Sequence, residues 1–343
     1  MDSRSDHTTL PLRSLGNSDI QISALGLGSW NTYAKSVNNL AQVKQIVHRA
    51  HEHGINFFDM ADSYAAGKAE EMMGAALQGL PRDAIIISSK TCFPIGDDRN
   101  DRGLSRKRIL IKIEDSLRRI GTDYLDLYFC HRYDPDTPLE ETVMAMNDLI
   151  KQGKIRHWGT SEWSSWQIRE AQRLAQKHGL IPPLVEQPEL NLVSQLKLKQ
   201  DTQPEASRHN LGMVTFSPLA SGILSGKYDN GVPRESRLDQ IPSIRKRLYT
   251  EHLRQKVLAL RNVADALNCS RAQLSIAWAM AQPGVSSVIT GASRLEQLTE
   301  NLGAAQIQLT PEVSKQLDTL FAPNLYRVIR YKTGCLLRNL RSK

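Results

Sequence analysis

The 343-residue sequence predicts an α/β protein of the (β/α)8 TIM-barrel class, with an N-terminal β-hairpin and a long loop after strand 7. Three observations carry this. Eight short β-branched or apolar runs recur between residues 24 and 303. Amphipathic segments with recognisable helix starts and stops separate them. Several of the runs are continuously apolar over 4–7 residues, the pattern of strands buried on both faces. A doubly wound open sheet is the competing architecture, and eight regular strands weigh against it.

In chain order, LRSLGNSDIQIS (12–23) reads as a hairpin closing the barrel bottom. The strands follow as ALGLG (24–28), INFFD (55–59), AIIISSK (84–90), YLDLYFC (124–130), IRHWG (155–159), LVEQ (184–187), MVTF (213–216) and SSVIT (286–290). Between them, residues 107–120 put Leu110, Ile113, Leu117 and Ile120 on one helical face, and Gly121 supplies the stop. The next helix opens on Thr137-Pro138-Leu139-Glu140, a capping box with proline at the first helical position. It turns Leu139, Val143, Met146 and Ile150 inward and stops near Gly153. Ser270–Gln273 and Ser293–Glu296 repeat the capping signature. Residues 217–250 form the longest aperiodic stretch, and a loop of that length within a compact fold is usually functional. One barrel domain (1–323) and a basic tail (324–343) are expected.

Composition narrows the function classes. The net charge of +8 is concentrated in the tail, where Arg327, Arg330, Lys332, Arg338, Arg341 and Lys343 face no acid; the rest holds 38 bases against 36 acids. The basic balance therefore describes a tail, and with no nucleic-acid-binding pattern beside it no nucleic-acid partner is expected. No apolar run is long enough to span a bilayer, and MDSRSDHTTL lacks the basic and apolar regions of a secretory signal. Cys92, Cys130, Cys269 and Cys335 show no paired spacing, which suits a reducing compartment; a cytoplasmic location is expected.

Active sites of such barrels collect at the C-terminal strand ends. Those ends offer Asp59 closing strand two, Tyr64 five residues on, Lys90 closing strand three and His131 just past strand four. Singly, each has a plainer role: a turn or cap carboxylate, a packed phenol, a solvated amine, a satisfied imidazole. Together they are chemically coherent. Lys90 can lower the Tyr64 pKa, Asp59 can hold Lys90, and His131 can orient a carbonyl oxygen toward the phenol. A phenol acid facing a carbonyl, with no metal ligands and no activated nucleophile, points to hydride reduction with a nicotinamide cofactor.

At this point the sequence resembles the aldo-keto reductases over roughly residues 12–322, most like the branch containing the β-subunits of voltage-gated potassium channels. The resemblance rests on GLGSWNT (26–32), ADSYAAGKAEE (61–71), RGLSRKRI (102–109), DPDTPLEETVMAM (134–146), WGTSEWSS (158–165), FSPLASGILSGKYD (216–229) and GVSSVITGASRLEQLTENLGA (284–304). It implies a catalytic tetrad of Asp59, Tyr64, Lys90 and His131. It implies that Ser161 and Gln187 hold the nicotinamide carboxamide, with Phe216 stacking on the ring and Ser29, Trp30 and Asp59 beside it. Ser217, Leu219, Ser221, Gly222 and Lys227 would wrap the pyrophosphate, and Arg237 would lie near the adenosine half. Gly291, Ser293, Gln297, Glu300 and Asn301 would receive the adenosine and 2′-phosphate. Physics supports that last site independently: Ser293 would open a helix whose free N–H groups face an anion, and Arg294 adds a planar cation, favouring NADPH/NADP over NAD.

Three departures bear on function. His131 stands where the channel branch resembles Asn, which tilts the reading toward an active reductase. Glu162 replaces a typical Arg beside the nicotinamide site, and Lys35-Ser36-Val37 replace a Gly-Gly-Gln-like stretch of the substrate rim. Other signals recede. Gly26-Leu27-Gly28 would need a third glycine where Asn31 stands, so a Rossmann turn is not expected. His48, His51 and His53 read as a solvated helix end rather than a metal site. The tail interleaves Leu325, Val328, Ile329, Leu336, Leu337 and Leu340 with bases; a docked or frayed terminus is preferred over a membrane-surface or channel contact. A small carbonyl substrate and a homo-oligomer, a tetramer by resemblance, complete the expectation. A cofactor-sensing regulatory subunit with slow turnover is the alternative.

Overall fold

The computed structural model describes residues 10–334 except 97, 99, 100, 325, 327 and 332. Strands β1 (Leu12–Ser14) and β2 (Gln21–Ser23) pair antiparallel. Strands β3 (Leu25–Gly28), β4 (Phe57–Asp59), β5 (Ile86–Thr91), β6 (Leu125–Cys130), β7 (Ile155–Ser161), β8 (Val185–Gln187), β9 (Gly212–Thr215) and β10 (Val285–Thr290) close a parallel barrel in the order β10-β3-β4-β5-β6-β7-β8-β9. Each expected strand is present, shifted by one or two residues at its ends.

Helices alternate with the strands: α1 (Leu40–Glu52), α2 (Lys68–Leu77), α3 (Arg106–Ile120), α4 (Leu139–Lys151), α5 (Ser165–Lys177) and α6 (Gln203–Arg208) follow β3 to β8 in turn. After β9 the chain runs through a 3-10 segment (Ala220–Ser225), α7 (Arg237–Gln240), α8 (Pro242–Leu248), α9 (Glu251–Ala266) and α10 (Arg271–Met280). α11 (Leu295–Gly303) and α12 (Pro311–Leu320) follow β10. The expected long loop after the seventh barrel strand is therefore partly helical. Its turns are too short to leave a readable period.

Helix ends obey local chemistry with two corrections. Gly121 caps α3 at φ 73°, and Ser270 and Gln273 form the reciprocal capping box that opens α10. The box expected at Thr137 does not form: Pro138 is the N-cap, and the Thr137 hydroxyl donates to Asp134 Oδ2 at 2.6 Å. The Ser293–Glu296 box does not form either. Gln297, one residue later, takes both the Ser293 N–H and hydroxyl on its Oε1, each at 2.9 Å, and Arg294 becomes the N-cap. A carboxamide one turn along the helix reaches the hydroxyl better than the shorter-spaced Glu296, which turns to Arg294 instead.

Two apolar cores result. The larger lies between strands and helices; the smaller fills the barrel, where Phe57, Leu127, Phe129, Val185, Val214 and Ile289 meet Leu15 and Ile22 of the hairpin. The hairpin thus plugs the N-terminal end, as its apolar Leu15 and Ile22 require. The narrow interior needs glycine: a Cβ on Gly26 or Gly28 would lie 2.6 Å from Phe57 Cδ1 or Ile289 Cγ2. Strand periodicity then fixes the mouth, because residues two apart share a face. Phe57 points in, so Asp59 does; Leu127 and Phe129 point in, so His131 follows; Val185 brings Gln187 and Val214 brings Phe216. No helix among the described residues is long and apolar enough to cross a membrane.

Most of the tail lies outside the described residues, including positions 325, 327, 332 and 335–343. Within its described part, the Tyr331 hydroxyl donates to Asp201 Oδ2 at 3.3 Å.

Candidate active site

The inward-facing ends of β4, β5 and β8 meet in one buried polar knot. Lys90 Nζ donates to Asp59 Oδ2 and to the Met60 carbonyl, both at 2.6 Å. Asp59 Oδ1 accepts from Ser88 Oγ at 2.7 Å and from Gln187 Nε2 at 3.1 Å. Ser29 adds two donors to the Asp59 carbonyl, its N–H at 3.0 Å and its hydroxyl at 3.2 Å. A carboxylate and an ammonium can be buried here because each is paired and every carboxylate oxygen has a donor.

Tyr64 enters on the loop after β4. The next residues, Ala65 and Ala66, hold left-handed backbone at φ 48° and 54°, a strained conformation for non-glycine residues that recurs at functional sites. The loop is tied down by Asp62 N–H to the Lys90 carbonyl (3.1 Å) and by Arg119 Nε to Glu70 Oε2 on α2 (2.6 Å). The Lys90 ammonium sits 5.0 Å from the Tyr64 ring centroid, and among the described residues one of its three N–H donors is uncommitted. His131, held by its N–H to the Thr91 carbonyl (3.0 Å), meets Tyr64 edge-on at 5.6 Å between ring centroids. All four expected residues therefore share one mouth.

Their protonation departs from the sequence reading in one respect. Burial, and secondarily the Asp59 carboxylate, holds the Tyr64 phenol well above its usual range instead of lowering it. Burial outweighs any help from Lys90, whose ammonium is already paired with Asp59. Burial lowers Lys90, against the pull of Asp59. Burial, with Lys90 and Arg132 nearby, pushes the His131 imidazole well below its usual range, so it is neutral near pH 7. Its Nδ1 is buried with no hydrogen-bond partner among the described residues. The site at rest is a protonated phenol beside a neutral imidazole with a spare ring nitrogen.

The other expected residues fall into three groups. The first adjoins the knot: Ser161 Oγ donates to the Gln187 carbonyl at 2.9 Å, and Phe216 caps the inner core next to them. The second is the segment after β9. Ser217, Ser221 and Gly222 have φ of 57°, 59° and 89°, and Lys227 packs so closely on Gly222 that a Cβ there would lie 2.6 Å from Lys227 Cε. Leu219 precedes this left-handed turn, and Arg237 reaches across from α7 to stack on Trp30 at 5.3 Å. The third follows β10, where Asn301 Nδ2 donates to the Gly291 carbonyl at 3.2 Å beside the Ser293–Gln297 pair. Two residues stand apart from it. Glu300 accepts from Ser270 at the start of α10 (2.9 Å), and the exposed Arg294 pairs loosely with Glu296 at 3.7 Å.

Sequence reasoning missed several contributors. Ser88 precedes Lys90 by two and shares its face, so strand parity alone would have placed it on Asp59. Arg132, next to His131, donates from Nη1 to the His131 carbonyl and, at 3.3 Å, to Ser161 Oγ. Behind β5, Asp62 is fully buried with Arg108 3.8 Å away, and Thr91 of β5, Glu70, Arg119 and Tyr128 surround it. Only three-dimensional packing reveals that cluster.

Burial pushes the Asp62 carboxyl up to about 7. A carboxyl raised on folding binds its proton more tightly in the native state, so its contribution to stability falls as pH rises from about 4 through about 7. Asp62→Asn removes that loss. Relative to the wild type, its urea midpoint is expected to improve between pH 5 and pH 8, equivalent to roughly 1–4 kcal/mol. A constant difference at both pH values would remove Asp62 from the pH response.

Fold and mouth define a class: a parallel eight-stranded barrel with a buried Asp–Lys pair, a phenol and an imidazole at its C-terminal end. Residues 24–322 match the aldo/keto reductase family, and the chain belongs to that family. It is 42% identical over 327 residues to a probable voltage-gated potassium channel subunit beta of Arabidopsis thaliana, covering 93% of this chain and 99% of the relative. A protein of the same description from Oryza sativa subsp. japonica is 41% identical over the same shares.

Proposed function

We propose that this protein reduces small aldehydes and ketones to alcohols with NADPH, Tyr64 giving the proton. The observation that carries this reading is the convergence of the Tyr64 phenol and the His131 imidazole, 5.6 Å between ring centroids, on the buried Asp59–Lys90 pair.

The residues present fit a dinucleotide. Among the described residues Arg237 has no acidic partner and stacks on Trp30, while Lys227 lies against a left-handed turn rich in small side chains. Ser161 and Gln187 retain polar atoms for the carboxamide, Phe216 offers a ring face, and in this reading Ser293, Gln297 and Asn301 receive the adenosine, with the exposed Arg294 beside them for its 2′-phosphate. When bound there, the nicotinamide supplies hydride to the carbonyl carbon. Tyr64 donates its proton to the carbonyl oxygen as negative charge develops there. Lys90, with one free N–H, stabilises the phenolate left behind, and Asp59 keeps Lys90 charged against burial. His131 orients the carbonyl through its ring nitrogen.

The names of the relatives favour a second reading, a regulatory subunit of a voltage-gated potassium channel; in that reading the protein would be a cytoplasmic, cofactor-sensing homo-oligomer, a tetramer by family resemblance, with slow turnover. His131 favours the enzyme. NADPH consumption across a panel of aldehydes and ketones separates the two, and His131→Asn is expected to cut kcat/KM roughly a hundredfold. Tight NADPH binding with no turnover of any carbonyl would put the regulatory reading first.

A further inference from the structure

We propose that Arg132 is a specificity-determining residue that selects carbonyl substrates carrying a carboxylate. This rests on the reductase reading and adds the substrate class to it.

The geometry is that of an open anion receptor at the mouth. Arg132 is partly buried between the ends of β5, β6 and β7. Its Nη1 is committed to the His131 carbonyl and Ser161 Oγ, and its guanidinium carbon lies 5.5 Å from the Phe93 ring centroid. Phe93 in turn packs edge-on against His131 at 4.8 Å. Two internal hydrogen bonds and an aromatic platform fix the guanidinium plane beside the ring that faces Tyr64.

Among the described residues no carboxylate lies within ion-pair distance of Arg132, and Nε and Nη2 have no hydrogen-bond partner. The other charges of the mouth are already spent. Lys90 is paired with Asp59. Glu162, adjacent to Ser161, gives its carboxylate to Lys197 at 2.9 Å and to the Glu189 N–H at 2.6 Å. With Glu162 paired in this way, the substrate end is left positive. A rigid fork with two free parallel donors matches a carboxylate in a way that an ammonium does not. A neutral aldehyde would leave that fork to solvent.

The test compares 4-carboxybenzaldehyde with benzaldehyde in the wild type, Arg132→Met and Arg132→Lys, together with calorimetric binding of 4-carboxybenzyl alcohol and benzyl alcohol to the NADP complex. The wild type is expected to prefer the acidic aldehyde by about tenfold or more in kcat/KM, chiefly through KM, and to bind the acidic alcohol more tightly by a similar factor. Arg132→Met should abolish both preferences, and Arg132→Lys should restore them in part. Equal handling of the two members of each pair by the wild type would overturn the proposal. So would a preference that survives Arg132→Met, or a loss confined to NADPH affinity, which would place Arg132 on the cofactor. If no aldehyde is turned over, the reductase reading fails, while the binding arm still decides whether Arg132 receives a carboxylate.

Discussion

Tyr64→Phe is expected to lower kcat for carbonyl reduction by about 10²–10⁴-fold while leaving NADPH affinity within about twofold. The size of the effect follows from the site at rest. Burial keeps the phenol protonated well above the working pH. It can therefore donate at any ordinary pH, and the wild-type rate should show no inflection from this group between pH 6 and 9. The affinity should be spared because the ring, which supplies the contacts to His131 and Lys90, is retained. Single-turnover reduction together with fluorescence titration of NADPH reads the two quantities separately. A joint fall in both would make Tyr64 a packing residue.

Why these residues converge was legible to different depths. Asp59, Lys90 and His131 announce themselves because each ends or follows an apolar run whose inward parity its neighbours set. Gln187, Ser161 and Phe216 obey the same parity but carry no ionisable signal, so only resemblance singled them out. The barrel itself was readable because its strands are buried on both faces, and the leading segment read as a hairpin closing its bottom, whereas the part Leu15 and Ile22 play in the inner core emerged only from the packing. Protonation was not readable. A pairwise view gives Lys90 the power to depress the phenol, whereas burial of the ring, with the Asp59 carboxylate beside it, raises it instead. Nor was the Asp62 cluster, whose members come from α2, α3, β5, β6 and the loop before Tyr64. Helix caps failed where a competing partner lay close: Asp134 for Thr137, and Gln297 for Ser293.

Breaking the Asp59–Lys90 pair should produce the other large effect, and it separates stability from chemistry. Among the described residues, Lys90→Met removes the only cation touching Asp59 and leaves a carboxylate with Ser88 and Gln187 as its side-chain donors. Stranding one partner of a buried ion pair costs about 3–5 kcal/mol, so a marked fall in urea midpoint is expected. Asp59→Asn placed on top of Lys90→Met removes the stranded charge and should recover most of the lost stability, because a neutral amide can still bond Ser88 and Gln187. Turnover should not recover, since neither variant offers an ammonium to the phenolate that proton transfer leaves on Tyr64. If the double variant regained activity with stability, the pair would be acting as a brace for the Tyr64 loop alone. If it regained neither, the knot would depend on the ionic pair for its fold, and the separate contribution of Lys90 to chemistry would have to be read from the kcat of conservative Lys90→Arg, whose planar fork cannot satisfy Asp59 and the Met60 carbonyl in the same compact space.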